Sequence, residues 1–173
     1  MTAPRHARSK VLKREDAARA IRRAHRLGER VVFTSGCFDL LHLGHVRSLE
    51  EARGLGDRLV VAINTDASVR RMKGPERPIL PARQRAELLA ALECVDWVTT
   101  FGQATPRSTL ALLQPDVYAK GGDWPLETLV AQDLPPGFGG EVHRLREVRG
   151  VRTTGIVERI RQKRTRPRKR HRS

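Results

Sequence analysis

Short, continuous apolar runs alternate along this chain with longer segments whose apolar residues recur every three or four positions. Val31-Val32-Phe33-Thr34, Arg58-Leu59-Val60-Val61-Ala62-Ile63, Asp96-Trp97-Val98-Thr99 and Asp116-Val117-Tyr118-Ala119 read as strands, with a fifth over Glu141–Leu145. The first reads as a buried strand, and the second is a continuous apolar run of the kind buried in a parallel sheet. The first helical segment runs from Lys13 to Gly28, with Ala17, Ala20, Ile21, Ala24 and Leu27 at helical spacing. Glu15 and Asp16 near its start and Gly28 at its end are helix boundary signals. Further helices are predicted over Val46–Arg53, from Pro81 to Leu92 with Leu88, Leu89 and Leu92 buried, and from Leu126 to Gln132. Another opens at Thr105-Pro106, with Thr as cap and Pro in first position, and runs to about Leu113. The last opens at Arg152-Thr153-Thr154-Gly155-Ile156 and runs to about Gln162. Residues 67–80 carry Arg70, Arg71, Lys73, Gly74, Arg77 and Pro78 and are predicted to form a mobile basic loop.

Strands alternating with helices imply an α/β fold: a Rossmann-like, doubly wound, five-stranded parallel sheet in a three-layer α/β/α single domain. The predicted organisation is a disordered basic tail over 1–12, a helix over 13–29, the domain over 30–162 and a second disordered basic tail over 163–173. Gly54-Leu55-Gly56 follows a helix rather than a strand, so it reads as a helix end and turn and not as half of a dinucleotide fingerprint.

Charge changes the picture only at the ends. The net +15 comes from residues 1–30, with ten Lys/Arg against three Asp/Glu, and residues 151–173, with ten against one. Residues 31–150 hold 14 against 15. Basic ends suit non-specific polyanion binding, but one Tyr, four Phe and two Trp give few stacking platforms for bases. A nucleic-acid-binding protein is therefore the alternative from another class. No apolar run approaches the ~20 residues of a membrane span, and no apolar signal segment opens the chain. Two cysteines, Cys37 and Cys94, make no disulfide framework, so a cytoplasmic location is expected.

Chemistry concentrates in Gly36-Cys37-Phe38-Asp39-Leu40-Leu41-His42-Leu43-Gly44-His45, between the first strand and the next helix. A strand, a glycine turn and a helix N-terminus present N–H groups and a positive dipole end to an anion. His42 and His45 share one side of the first turn, and Gly44 lets a phosphate approach the backbone. Ordinary surface histidines are the plain alternative; a zinc site with Cys37 and Asp39 would need three or four convergent ligands. Asn64 and Asp66 stand at the carboxyl end of the second strand, where open α/β sheets place ligand contacts. Thr153 and Thr154 fall at a helix start, where hydroxyls cap the helix and can also hold phosphates.

The decapeptide resembles the signature of the cytidylyltransferase-like nucleotidyltransferases. Lys73-Gly74-Pro75-Glu76-Arg77-Pro78 resembles the basic loop of its sugar-phosphate members, and Lys120-Gly121-Gly122-Asp123-Trp124 the segment after the fourth strand. Thr153-Thr154-Gly155-Ile156 resembles the closing helix start, although Arg152 replaces an expected small hydroxyl residue. The similarity spans roughly residues 30–160 and is nearest to the adenylyltransferase domain of bifunctional ADP-heptose synthases; their sugar kinase domain is not expected here. It implies transfer of AMP from ATP to D-glycero-β-D-manno-heptose 1-phosphate, release of pyrophosphate, and a homodimer. His42, His45 and Lys73 would be catalytic, and Asp39, Lys73 and Arg77 would bind the sugar phosphate. Ser35, Gly36, Cys37, Phe38, Gly44, Asn64, Asp66, Gly122, Asp123, Thr153 and Thr154 would contact the nucleotide. Mg²⁺ would arrive with ATP, held mainly by phosphates rather than protein side chains. The base is chosen largely through backbone contacts, so CTP and GTP stay open, as does a cytidylyltransferase acting on glycerol 3-phosphate or a similar small phosphate.

Overall fold

Val31, Val32 and Phe33 have no exposed surface, because β1 (Val31–Gly36) lies at the middle of a sheet covered on both faces. The computed structural model describes residues 6–121, 125–146 and 153–165. Its other strands are β2 (Arg58–Asn64), β3 (Trp97–Phe101), β4 (Val117–Gly121) and β5 (Glu141–Leu145). All pair in parallel in the order β3-β2-β1-β4-β5. One face carries α1 (Arg14–Arg26) and, later in the chain, α5 (Arg107–Leu113), whose Ala17, Ile21 and Leu110 pack on Phe33, Val60 and Tyr118. The other carries α2 (Leu43–Arg53) and α4 (Ala82–Ala90), whose Leu49 and Leu89 pack on Val32, Val61 and Ile63. Burial on both faces is why these strands read as unbroken apolar runs.

The strand order reverses between β1 and β4, which opens a crevice at their carboxyl ends. The amino ends are closed by paired polar groups. Asp116 accepts the Val31 N–H at 2.7 Å and the His25 ring N–H at 3.0 Å. Asp96 accepts the Leu59 N–H at 2.9 Å and pairs with Arg58, which also holds Glu29.

Several expectations need correction. Residues 67–80 are not all loop, since α3 spans Asp66–Lys73. Thr65 caps it by accepting the Ser68 N–H, Asp66 lies in its first turn, and Arg70, Arg71 and Lys73 in its last; those charges suit the helix dipole. Gly74, at φ 93°, ends it in a conformation glycine adopts freely. The expected disorder of residues 1–12 fails from Ala7 onward: Ala7–Lys10 form a 3-10 turn, and Leu12 N–H donates to the Val98 carbonyl at 2.8 Å. Ala7 and Val11 pack against the core, so a few apolar residues anchor a basic segment. Leu88 points outward at 44% exposure, and Pro106 rather than Thr105 is the N-cap of α5, with no side-chain bond. Gly56 does sit in the turn its position implied, since a Cβ there would lie 2.8 Å from the Arg30 carbonyl. The remaining helices are α6 (Leu126–Asp133) and α7 (Thr153–Thr165). Among the described residues, no helix is long and apolar enough to cross a membrane.

Candidate active site

The crevice at the β1–β4 reversal is a cavity of about 400 Å³. Its floor is the end of β1 with the loop leading into α2: Thr34, Ser35, Gly36, Cys37, Phe38 and Asp39. Phe38 has φ 45°, costly for a bulky side chain, and holds it only because its surroundings demand it. Its ring stands edge-on to His45 at 5.1 Å and covers Gly36, where a Cβ would lie 3.0 Å from the ring.

His42 is the N-cap of α2 in extended conformation, and its Nδ1 accepts the His45 backbone N–H at 3.3 Å. That bond places the proton of a neutral His42 ring on Nε2. The two rings stack with centroids 3.7 Å apart and planes 17° from parallel. Burial lowers the pKa of both rings; for His45 it reaches about 4, with the charges of His42 and Lys73 adding to the effect. Both imidazoles are therefore neutral at pH 7. His45 Nδ1 is buried with no hydrogen-bond partner among the described residues.

Lys73 reaches the cavity from the last turn of α3 and has no carboxylate partner among the described residues. Thr153 and Thr154, the first residues of α7, line it as well. Gly44 and Ser48 line it from α2, Ser48 one turn beyond His45 on the same face. That spacing is the signal that would have singled out Ser48.

Asp39 also lines the cavity but is only 4% exposed and fully engaged. It accepts from Arg77 at 2.8 Å and from the Ile79 and Leu80 N–H groups at 2.8 and 3.0 Å. Burial pushes its pKa up, but these donors outweigh burial and hold it below the ordinary carboxylate value. Arg77 thus clamps the segment after Lys73 and does not line the cavity. Asn64 and Asp66, expected to meet the nucleotide, do not line it either. Asn64 accepts the Cys37 thiol at 3.7 Å and donates to Ser68 at 3.1 Å, while Asp66 caps α4 through the Ala82 N–H at 2.8 Å. Gly122 and Asp123, with Trp124 and Arg152, lie outside the described residues.

Arg85 escapes the periodic pattern, yet it is fully buried. Its guanidinium donates to the carbonyls of Cys37, Asn64 and Leu80 at 2.5, 2.8 and 2.9 Å and to Asp66 at 2.8 Å. One rigid, always-charged fork thus ties the signature loop, the end of β2 and the segment before α4. The available signal is its position, an arginine on the helix face that also carries Ala86 and Leu89.

Converging helix N-termini, neutral imidazoles, hydroxyls and the Lys73 ammonium, unpaired among the described residues, make a receptor for a chain of phosphates. The family model for cytidylyltransferase-like proteins matches residues 33–169, a span holding the described residues that line this cavity. The chain belongs to the cytidylyltransferase-like family. It is 55% identical over 139 residues to the bifunctional protein HldE of Hahella chejuensis, covering 80% of this chain and 29% of that protein. To HldE of Syntrophotalea carbinolica it is 49% identical over 152 residues, covering 88% and 31%. The chain therefore spans less than a third of the length of these relatives. Among solved structures, the lipopolysaccharide core biosynthesis protein of Thermoplasma volcanium is 27% identical with TM-score 0.58, covering 70% of this chain and 99% of that one. Among the described residues, this cytidylyltransferase-like chain gathers no group of three or more His, Cys, Asp and Glu, and its one cavity carboxylate, Asp39, is already satisfied. These residues form no protein cage for Mg²⁺.

Proposed function

We propose that this chain transfers AMP from ATP to D-glycero-β-D-manno-heptose 1-phosphate, giving ADP-heptose and pyrophosphate. The observation that carries the reading is the convergence of the α2 and α7 N-termini and Lys73 on one cavity at the sheet's reversal point. The sugar phosphate as acceptor is supported by the Lys73–Pro78 segment, by about 50% identity to HldE proteins, and by the likeness to a protein named for lipopolysaccharide core biosynthesis.

The acceptor phosphate is already an anionic nucleophile at neutral pH, so no general base is required. Its oxygen forms a bond to the α-phosphorus of ATP while the bond to the bridging oxygen breaks, and pyrophosphate departs with the electron pair. Catalysis then consists of holding the two phosphates in line and meeting charge as it develops. His42 Nε2–H and the His45 ring serve as donors to the triphosphate. Lys73 brings positive charge to the α-phosphate and the incoming acceptor. Thr153 and Thr154 hold the β- and γ-phosphates at the α7 N-terminus. A Mg²⁺ entering with ATP would take its ligands from the phosphates.

Pyrophosphate release measured with ATP, CTP and GTP, each against heptose 1-phosphate and glycerol 3-phosphate, tests this directly. Turnover is expected with ATP and the heptose phosphate. Turnover only with CTP and glycerol 3-phosphate would make the chain a cytidylyltransferase, and no turnover with ATP plus the heptose phosphate would sink the proposal.

A further inference from the structure

Under the β4 side of the cavity lies a polar network that the phosphate chemistry above does not use. Lys120, near the end of β4, donates to Ser35 Oγ at 3.1 Å and to Asp133 Oδ2 at 3.2 Å. The same Asp133 oxygen accepts the Tyr118 O–H. Tyr118 is fully buried, and Ser35 and Asp133 are 6% and 7% exposed. Of the four, Ser35 alone lines the cavity. Burial and then Asp133 push the Tyr118 pKa far above its ordinary value, so its proton stays in place as the donor to Asp133.

A buried ion pair adds little over apolar residues of the same volume, so the pair as a whole is not explained by stability, although Lys120 is needed to neutralise Asp133 once that carboxylate is there. Nor is Lys120 spare positive charge for a phosphate, because Asp133 neutralises it; the lysine that lines the cavity, Lys73, has no such partner among the described residues. What Lys120 alone supplies is a fixed donor on the Ser35 hydroxyl. A serine hydroxyl has one hydrogen and two lone pairs and rotates freely unless held. Lys120 fills one lone pair and Tyr118 engages the same hydroxyl from within the network, so Ser35 Oγ is pinned and presents the one capacity left to it at the β1–β4 reversal, where open α/β sheets bind nucleotides.

We propose that Lys120 is a positioning residue: anchored by Asp133, it acts through Ser35 to set the affinity for the nucleotide rather than the rate of the chemical step. The inference rests on the nucleotidyl-transfer reading of the cavity. Its test is a double-mutant cycle of Lys120→Met and Ser35→Ala, read by calorimetric titration with ATP and Mg²⁺ and by separate kcat and KM values. Each single variant is expected to weaken ATP about tenfold, the worth of one hydrogen bond, with the double variant no weaker than either and kcat within about threefold. Asp133→Asn keeps the shape and unpins Lys120. It should weaken ATP severalfold in the Ser35 protein and not in the Ser35→Ala protein, and it carries the test if Lys120→Met fails to fold. Multiplying effects, or unchanged ATP affinity in Lys120→Met or Asp133→Asn, would overturn the proposal alone. A wild-type protein that binds no ATP would overturn it together with the nucleotidyl-transfer reading.

Discussion

At the amino end of the sheet, Asp116 and Asp96 each accept a strand N–H and a cationic or imidazole partner, so donors and acceptors there are matched. At the carboxyl end, among the described residues, His45 Nδ1 is buried without a hydrogen-bond partner, Lys73 has no carboxylate partner, and two helix N-termini face one cavity. Both ends draw on the same residue types. A matched network holds strands in register, whereas unmatched donors around a cavity have a ligand as their natural complement. Residue type therefore says little about role at either end; the state of satisfaction separates scaffold from site.

If that contrast is real, the two ends must fail differently. His45→Ala should lower kcat/KM by ~10²–10³, about 3–4 kcal/mol of transition-state stabilisation, with the thermal midpoint nearly unmoved. Near-normal turnover in that variant would remove the histidine pair from the mechanism. Asp96→Ala is the opposite case. It leaves the buried Leu59 N–H without its acceptor, so chemical denaturation should show a loss of ~2–3 kcal/mol, while kcat per folded molecule stays within about twofold. A large kcat loss there would blur the division. Lys73→Met removes a charge that no described residue engages, and should cost roughly tenfold to fiftyfold in kcat/KM with no loss of stability.

The scaffold was far more legible in the sequence than the site. Strand runs such as Leu59–Ile63 announce themselves because burial on both faces admits only apolar residues. The α3 helix was hidden because only Ser68 and Val69 of its eight residues are buried, which leaves almost no apolar stripe to read. His42, His45, Lys73, Thr153 and Thr154 are singled out by motif, and they line one cavity. Asn64 and Asp66 were misplaced because a position at a strand's carboxyl end does not say which way a side chain turns, and theirs are taken by Ser68, Ala82 and Arg85. Arg85 was invisible for a different reason. Its partners are mostly backbone carbonyls of three segments far apart in sequence, and carbonyls leave no mark in the letters.

The smallest expected effect is also the most local. Burial holds the His45 pKa at about 4, against the ordinary 6.5, so between those values the unfolded chain binds more protons than the folded one. Stability should therefore be unaffected by this ring above pH 6.5 and fall progressively as pH drops toward 4. His45→Asn should flatten that part of the profile. Nitrogen-detected NMR of the free protein should show His45 still neutral at pH 5.5. ATP phosphates beside the ring favour its charged form, so in the ATP complex the same signal should titrate at a higher pH. A His45 that titrates near 6.5 without ligand would mean its ring is solvated rather than held dry against Phe38 and His42. In that case the carboxyl end of the sheet would lose the buried, unmatched ring nitrogen that sets it apart from the amino end.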